Sequence, residues 1–207
     1  ALAGRQFEFV YFGGGTPSFL SSEQLKRLIG RIRENWNWDA AREVTFECEP
    51  GTLKESKLRT IREIGVTRLS LGIEHFDDEV LEMNGRAHKS PEIHQAYQWA
   101  RAVGFPQINI DLIAGMVGET EDKWKDTVEK AVLLDPDSVT IYQLELPFNA
   151  VFSREFQKEG QAPPVADWAT KRRWVDYAFA QFESAGYEIS SGYTLARKDR
   201  HAGFIYR

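Results

Sequence analysis

Short β-rich runs alternate with helix-periodic stretches along nearly the whole chain, and this alternation restricts the fold more than any other feature. Residues 7–12, 43–48, 68–74, 107–113, 138–146 and 187–190 read as strands. Between them lie helical patterns. The first has Leu25, Leu28, Ile29, Ile32 and Trp36 on one face, and Ser21 placed three before Gln24 as a capping box. Others cover residues 54–64, 78–83, 91–103, 121–134 and 165–184, with Gly186 as a C-terminal cap. Strands spaced by helices imply right-handed βαβ units and a parallel sheet. Several strands are almost continuously apolar, as expected where both faces are covered. Six strands are too few for a closed eight-stranded barrel, so the pattern fits either a doubly wound open sheet or a partial barrel. The 207 residues read as a single α/β domain with no internal repeat. Residues 161–164 (Gln-Ala-Pro-Pro) form a candidate hinge, and 161–207 a candidate start of a C-terminal substrate-side extension.

Composition narrows the function. A net charge of −5 argues against a nucleic-acid partner, which needs clustered Lys and Arg. The run Lys171-Arg172-Arg173 lies within a helical pattern and reads as a solvated face. Cys48 is the only cysteine, so neither an internal disulfide nor a cysteine-only metal site can form, and no metal ligands are assigned. Sparing use of cysteine suits a cytoplasmic protein, and no apolar run is long enough to span a membrane.

In parallel α/β folds the site lies at the carboxyl ends of the strands. The first strand runs into Gly13-Gly14-Gly15-Thr16. Glycines there let backbone approach a ligand without a Cβ in the way, or merely clear space for a turn. The pattern is neither a dinucleotide fingerprint nor a P-loop. The other strands end near Glu47, Glu74, Asp111 and the pair Gln143 and Glu145. Four acids converging on one rim repel each other unless a cationic or hydroxyl-rich ligand sits between them. A ligand with an ammonium group and a ribose fits that description. Asp111 lies inside an apolar strand, where an unpaired carboxylate is costly; a hydrogen-bonded core aspartate is the structural alternative. Arg86 alone reads equally well as a surface ion pair. His75 and His88 read as loop or rim histidines, with proton donation as the functional alternative.

Five segments carry a family resemblance, in order and spacing: Phe12-Gly13-Gly14-Gly15-Thr16-Pro17-Ser18, Phe46-Glu47-Cys48-Glu49-Pro50, the stretch 68–74, Asn84-Gly85-Arg86, and the stretch 109–116. Together they resemble the oxygen-independent coproporphyrinogen III oxidase-like group of radical S-adenosylmethionine (SAM) proteins. The resemblance implies a partial (β/α) TIM-like barrel of parallel strands, truncated at the N-terminus. It also implies SAM as cofactor, contacted by Gly14, Gly15, Thr16, Glu47, Glu74, Arg86 and Asp111. Asp111 would accept from ribose hydroxyls, and Arg86 would pair with the SAM carboxylate. A [4Fe–4S] cluster is implied as well, but the group's C-x-x-x-C-x-x-C motif would lie upstream of Ala1, so its ligands are not in this chain and the chain itself is expected to be inactive.

The implied activity is hydrogen abstraction from a tetrapyrrole by a 5′-deoxyadenosyl radical, with an electron-donor protein as partner. Heme chaperones of the same group, and radical SAM methyltransferases or heme-degrading enzymes, are the alternatives. Two positions depart from the oxidase pattern: Glu74 stands where the oxidase has Gln, and Gly51 where it has Arg.

Overall fold

The computed structural model describes residues 6–145 and 165–200. The sequence-derived candidate hinge at 161–164, the polar segment leading to it, and His201 lie outside the described residues. Strands β1 (Phe9–Phe12), β2 (Glu43–Cys48), β3 (Arg68–Glu74), β4 (Gln107–Ala114) and β5 (Ser138–Gln143) form the parallel part of one sheet. Helices α1 (Ser22–Arg33), α2 (Glu55–Glu63), α3 (Asp78–Met83), α4 (Ser90–Val103) and α5 (Glu121–Leu134) connect them. Helix α6 (Trp168–Ser184) leads to β6 (Tyr187–Ile189) and β7 (Thr194–Arg197).

The order across the sheet is β1-β2-β3-β4-β5-β7-β6. The five parallel strands therefore follow one another without reversal. Right-handed crossovers that always step in the same direction place every connecting helix on the same face. A doubly wound sheet needs a reversal, so the order decides for the partial barrel. The sheet is not purely parallel: β7 pairs antiparallel with β5 and with β6. Sequence reading missed β7, a four-residue strand preceded by the turn-rich run Ser190-Ser191-Gly192-Tyr193.

The expectation that both strand faces are apolar is corrected by the side chains. Leu69, Leu71 and Ile73 of β3 join Ile108, Ile110 and Leu112 of β4 in one hydrophobic cluster with helix residues such as Leu25, Leu58 and Trp124. The alternate residues point the other way. There Arg68, fully buried, donates to Gln107 (2.9 Å) and to the Ser138 hydroxyl (2.6 Å). Asn109 donates to Ser70 (3.0 Å) and Asp111 (2.9 Å), and accepts from Ser138 (2.7 Å). The strands read as apolar because small hydroxyls and an amide satisfy one another across this concave face.

Helix ends follow local chemistry. Ser21 and Gln24 form the expected capping box on α1. Gly104, with φ of 80°, ends α4 in the left-handed region. Lys171 departs from the solvated face expected of it. It is buried, and its ammonium donates to the Leu144 carbonyl at 2.7 Å.

Candidate functional site

At the carboxyl ends of β1–β5 the sheet opens into a cleft of about 270 Å³. Gly15, Thr16, Glu47, Glu74, Arg86 and Asp111 all line it. Gly14 stands beside it and donates its backbone N–H to Glu47 Oε2 at 3.0 Å. Glu47 Oε1 accepts from the Tyr11 hydroxyl. Gly14 and Gly15 have φ of 83° and 61°, a region that side chains with a Cβ rarely adopt. Gly13 has a different constraint: a Cβ there would lie 2.4 Å from Tyr11 Cε1 and 2.8 Å from Glu47 Cδ. The turn is tied down by Ser18, which is buried. Its hydroxyl accepts from the Glu49 backbone N–H (3.0 Å) and lies 2.7 Å from the Thr52 hydroxyl.

Glu74 reaches the cleft through a local distortion. The pairing of β3 with β4 slips between Gly72 and Glu74, and Glu74 takes φ of 69°. A non-glycine residue in this region is strained, and such strain persists only where surrounding contacts over-determine it. The carboxylate lies 3.3 Å from the Arg86 guanidinium, whose other neighbour, Glu49, is 4.0 Å away. Burial pushes the Glu74 carboxyl up to about 7, with Asp111 and Glu49 adding to the rise and Arg86 opposing it.

Asp111 is withdrawn from water to a similar effect: its carboxyl is raised to about 6 by desolvation, against the hydrogen bonds from Ser70 (3.0 Å) and Asn109. Two carboxyls with affinities near neutrality, on one wall with a guanidinium, mark this cleft as the part of the molecule best suited to a charged ligand.

Two expectations need correction. Glu145 does not line the cleft; the fourth acid there is Glu49. His75 and His88 are not rim residues, since both are fully buried. His75 accepts from the Asp77 N–H at Nδ1 (2.9 Å) and contacts Glu119 at Nε2 (3.1 Å). Cys48 is buried, and burial pushes its thiol up. Sequence reasoning missed Tyr11, Ser70, Glu49 and Tyr142 as cleft neighbours. Ser70 was open to discovery, because it shares the period-two face of β3 with Glu74. Tyr142 lines the rim and stacks on Tyr193 with ring centres 6.1 Å apart.

The family model described as the radical SAM superfamily matches residues 1–131, more than half of the chain. The chain belongs to the radical SAM superfamily. Among its relatives, the heme chaperone HemW of Bacillus subtilis is 31% identical over 94% of this chain and 55% of its own length. The oxygen-independent coproporphyrinogen III oxidase of Escherichia coli is 33% identical over 68% of this chain and 31% of its own length. The radical SAM chain thus spans about half or less of these relatives. In structure it superposes on coproporphyrinogen III oxidase (HemN) from Escherichia coli with a TM-score of 0.85 and 28% identity, covering 96% of this chain and 45% of that one. The α/β frame with its mostly parallel sheet is thus the frame of that radical SAM enzyme. No helix among the described residues is long and apolar enough to cross a membrane.

Proposed function

We propose that this radical SAM chain is the SAM-binding body of a tetrapyrrole-handling protein of the coproporphyrinogen oxidase and HemW kind. The observation that carries the reading is the single cleft that gathers six of the seven residues named from sequence, with Gly14 at its edge. The fit to SAM rests on the donor set. Arg86 suits a carboxylate, Glu47 and Glu74 suit an ammonium or sulfonium, and Asp111 suits ribose hydroxyls. The turn at Gly14 and Gly15 has no atom within 4 Å of where a Cβ would be, which leaves room for close approach of ligand. When bound beside a reduced cluster, SAM supplies hydrogen-atom abstraction.

The [4Fe–4S] cluster itself does not fit this chain. No group of three or more His, Cys, Asp or Glu among the described residues could hold a metal ion, and Cys48 is buried alone. In the whole protein the cluster ligands would come from outside these 207 residues, with an electron-donor protein as partner and a cytoplasmic setting. The chain's own residues then bind and orient SAM and exclude water from the carboxylates.

Two uses of the frame follow from the relatives. Oxidase action would remove carboxyl groups from a porphyrinogen. The relatives support both uses: those from Bacillus subtilis and Lactococcus lactis, aligned over 94% of this chain, are named heme chaperones, and that from Salmonella typhimurium, aligned over 96%, is named an oxygen-independent coproporphyrinogen III oxidase. Full-length protein, reconstituted anaerobically with iron and sulfide, is expected to bind SAM and release 5′-deoxyadenosine. Absence of both would overturn the reading. Stable heme binding without loss of carboxyl groups from coproporphyrinogen identifies the chaperone; turnover identifies the oxidase.

A further inference from the structure

His88 is fully buried, between the turn after β2 and the end of β3. Its Nδ1 lies 2.6 Å from Glu49 Oε1, and its Nε2 lies 3.0 Å from the Ile73 carbonyl oxygen. A carbonyl can only accept, and so can an ionised carboxylate. Both ring nitrogens must then donate, so the ring carries a proton on each. Burial alone disfavours that charge, but the bonds to Glu49 and Ile73 outweigh it and hold the imidazole above its usual value. Glu49 responds in the opposite sense: burial would raise it, and His88 and Arg86 hold it low.

The placement has a consequence for the cleft. Ile73 immediately precedes the strained Glu74, so the Nε2 bond anchors the distortion that turns Glu74 inward. The Nδ1 bond satisfies Glu49, leaving that carboxylate 4.0 Å from Arg86 rather than in close pairing. We propose that His88 is a positioning residue for the SAM cleft: as an imidazolium it occupies Glu49, so that this carboxylate does not add to Glu74, 3.3 Å from Arg86, in competing with a ligand carboxylate for the guanidinium. This rests on the SAM-binding reading above.

The charged and titratable groups facing this assembly are Glu49 from the β2 turn, Glu74 from β3 and Arg86 from the α3–α4 connection, with Asp111 acting on Glu74 from β4. Loss of one His88 proton removes the positive charge beside Glu49 and leaves the ring able to donate to Glu49 or to Ile73 but not to both, and the uncompensated carboxylate then draws Arg86 toward it. Because Glu74 titrates near neutrality, the test is made in a Glu74→Gln background. In that background, full-length cluster-loaded protein should bind SAM about tenfold more weakly as pH rises through the His88 transition, the scale of one charge-assisted hydrogen bond. His88→Gln should be about tenfold weaker already at pH 7, with no further fall as pH rises above 7, where Asp111 (about 6) is already ionised.

Glu49→Gln keeps the shape but offers an amide donor to Nδ1, so it should also flatten the profile. Nitrogen NMR of the cluster-free protein reads the ring directly. Both His88 nitrogens should be protonated at pH 7.5 when Glu49 is present, and only one of them in the Glu49→Gln variant. A singly protonated His88 with Glu49 present would overturn the inference, as would unchanged SAM affinity and pH profile in His88→Gln. Failure of the unsubstituted protein to bind SAM would instead refute the SAM-binding reading, while the NMR result would still decide the state of His88.

Discussion

Asp111→Asn should make the protein more stable at pH 8 while weakening its hold on SAM. The carboxyl is withdrawn from water, and its pKa rises from an ordinary 3.8 to about 6. The cause is first of all burial, then the nearby Glu47; Ser70, Asn109 and Arg68 offset only part of it. A raised carboxyl pKa means the folded state disfavours the ionised form. The penalty is full above the folded value, fades as pH falls from about 6 to 3.8, and is absent below. Two units correspond to about 3 kcal/mol.

Asparagine removes the charge but not the shape. Its oxygen can still accept from Asn109, whereas its NH2 faces the Ser70 hydroxyl, which must turn to accept, at a cost of about 1 kcal/mol. The expected net gain is about 2 kcal/mol at pH 8, shrinking toward zero or reversing near pH 4. Urea unfolding at a series of pH values measures it, and equilibrium dialysis should show SAM affinity reduced by roughly 10- to 100-fold. A variant equally destabilised at pH 8 and pH 5 would refute the reasoning, because it would mean the network stabilises the ionised carboxylate.

Other substitutions probe separate parts of the argument. Gly13→Ala drives a Cβ against Tyr11 and Glu47, so SAM affinity should fall at least about tenfold while the thermal midpoint moves only a few degrees; dialysis and melting curves together check this. Glu74→Gln should gain about 3 kcal/mol at most at pH 8, since its carboxyl is raised to about 7; the gain should vanish near pH 4.5, read by the same urea series. Trp124→Ala removes a fully buried ring whose Nε1–H donates to the Trp174 carbonyl at 2.8 Å, and should cost about 3–5 kcal/mol in urea unfolding.

Where local periodicity carried the signal, the chain was readable. Helices α3 and α5 occupy the residues expected of them, 78–83 and 121–134, because their apolar spacing and start signals are strong. The site acids on β2, β3 and β4 were readable for a different reason: a carboxylate at the end of an apolar strand stands out. Glu145 was misplaced because position after a strand does not say which way a side chain points. Lys171 was misread because a basic run on a helix gives no sign of which member turns inward to the Leu144 carbonyl.

The polar inner face shows the same limit. Ser70, Asn109, Ser138 and Thr140 look ordinary in sequence, and only their pairing across neighbouring strands makes them a buried network.

The sequence by itself determined the alternation of strands and helices, the glycine turn, and three of the four cleft acids, Glu47, Glu74 and Asp111, since these depend on residues near one another in the chain. The tertiary structure alone decided that the strands run in unbroken order, which makes a partial barrel with one polar face. It also decided that His88 is buried against Glu49, 39 residues away, and the carbonyl of Ile73, 15 residues away. Burial and charge pairing are properties of neighbours in space, and spacing along a chain does not report them.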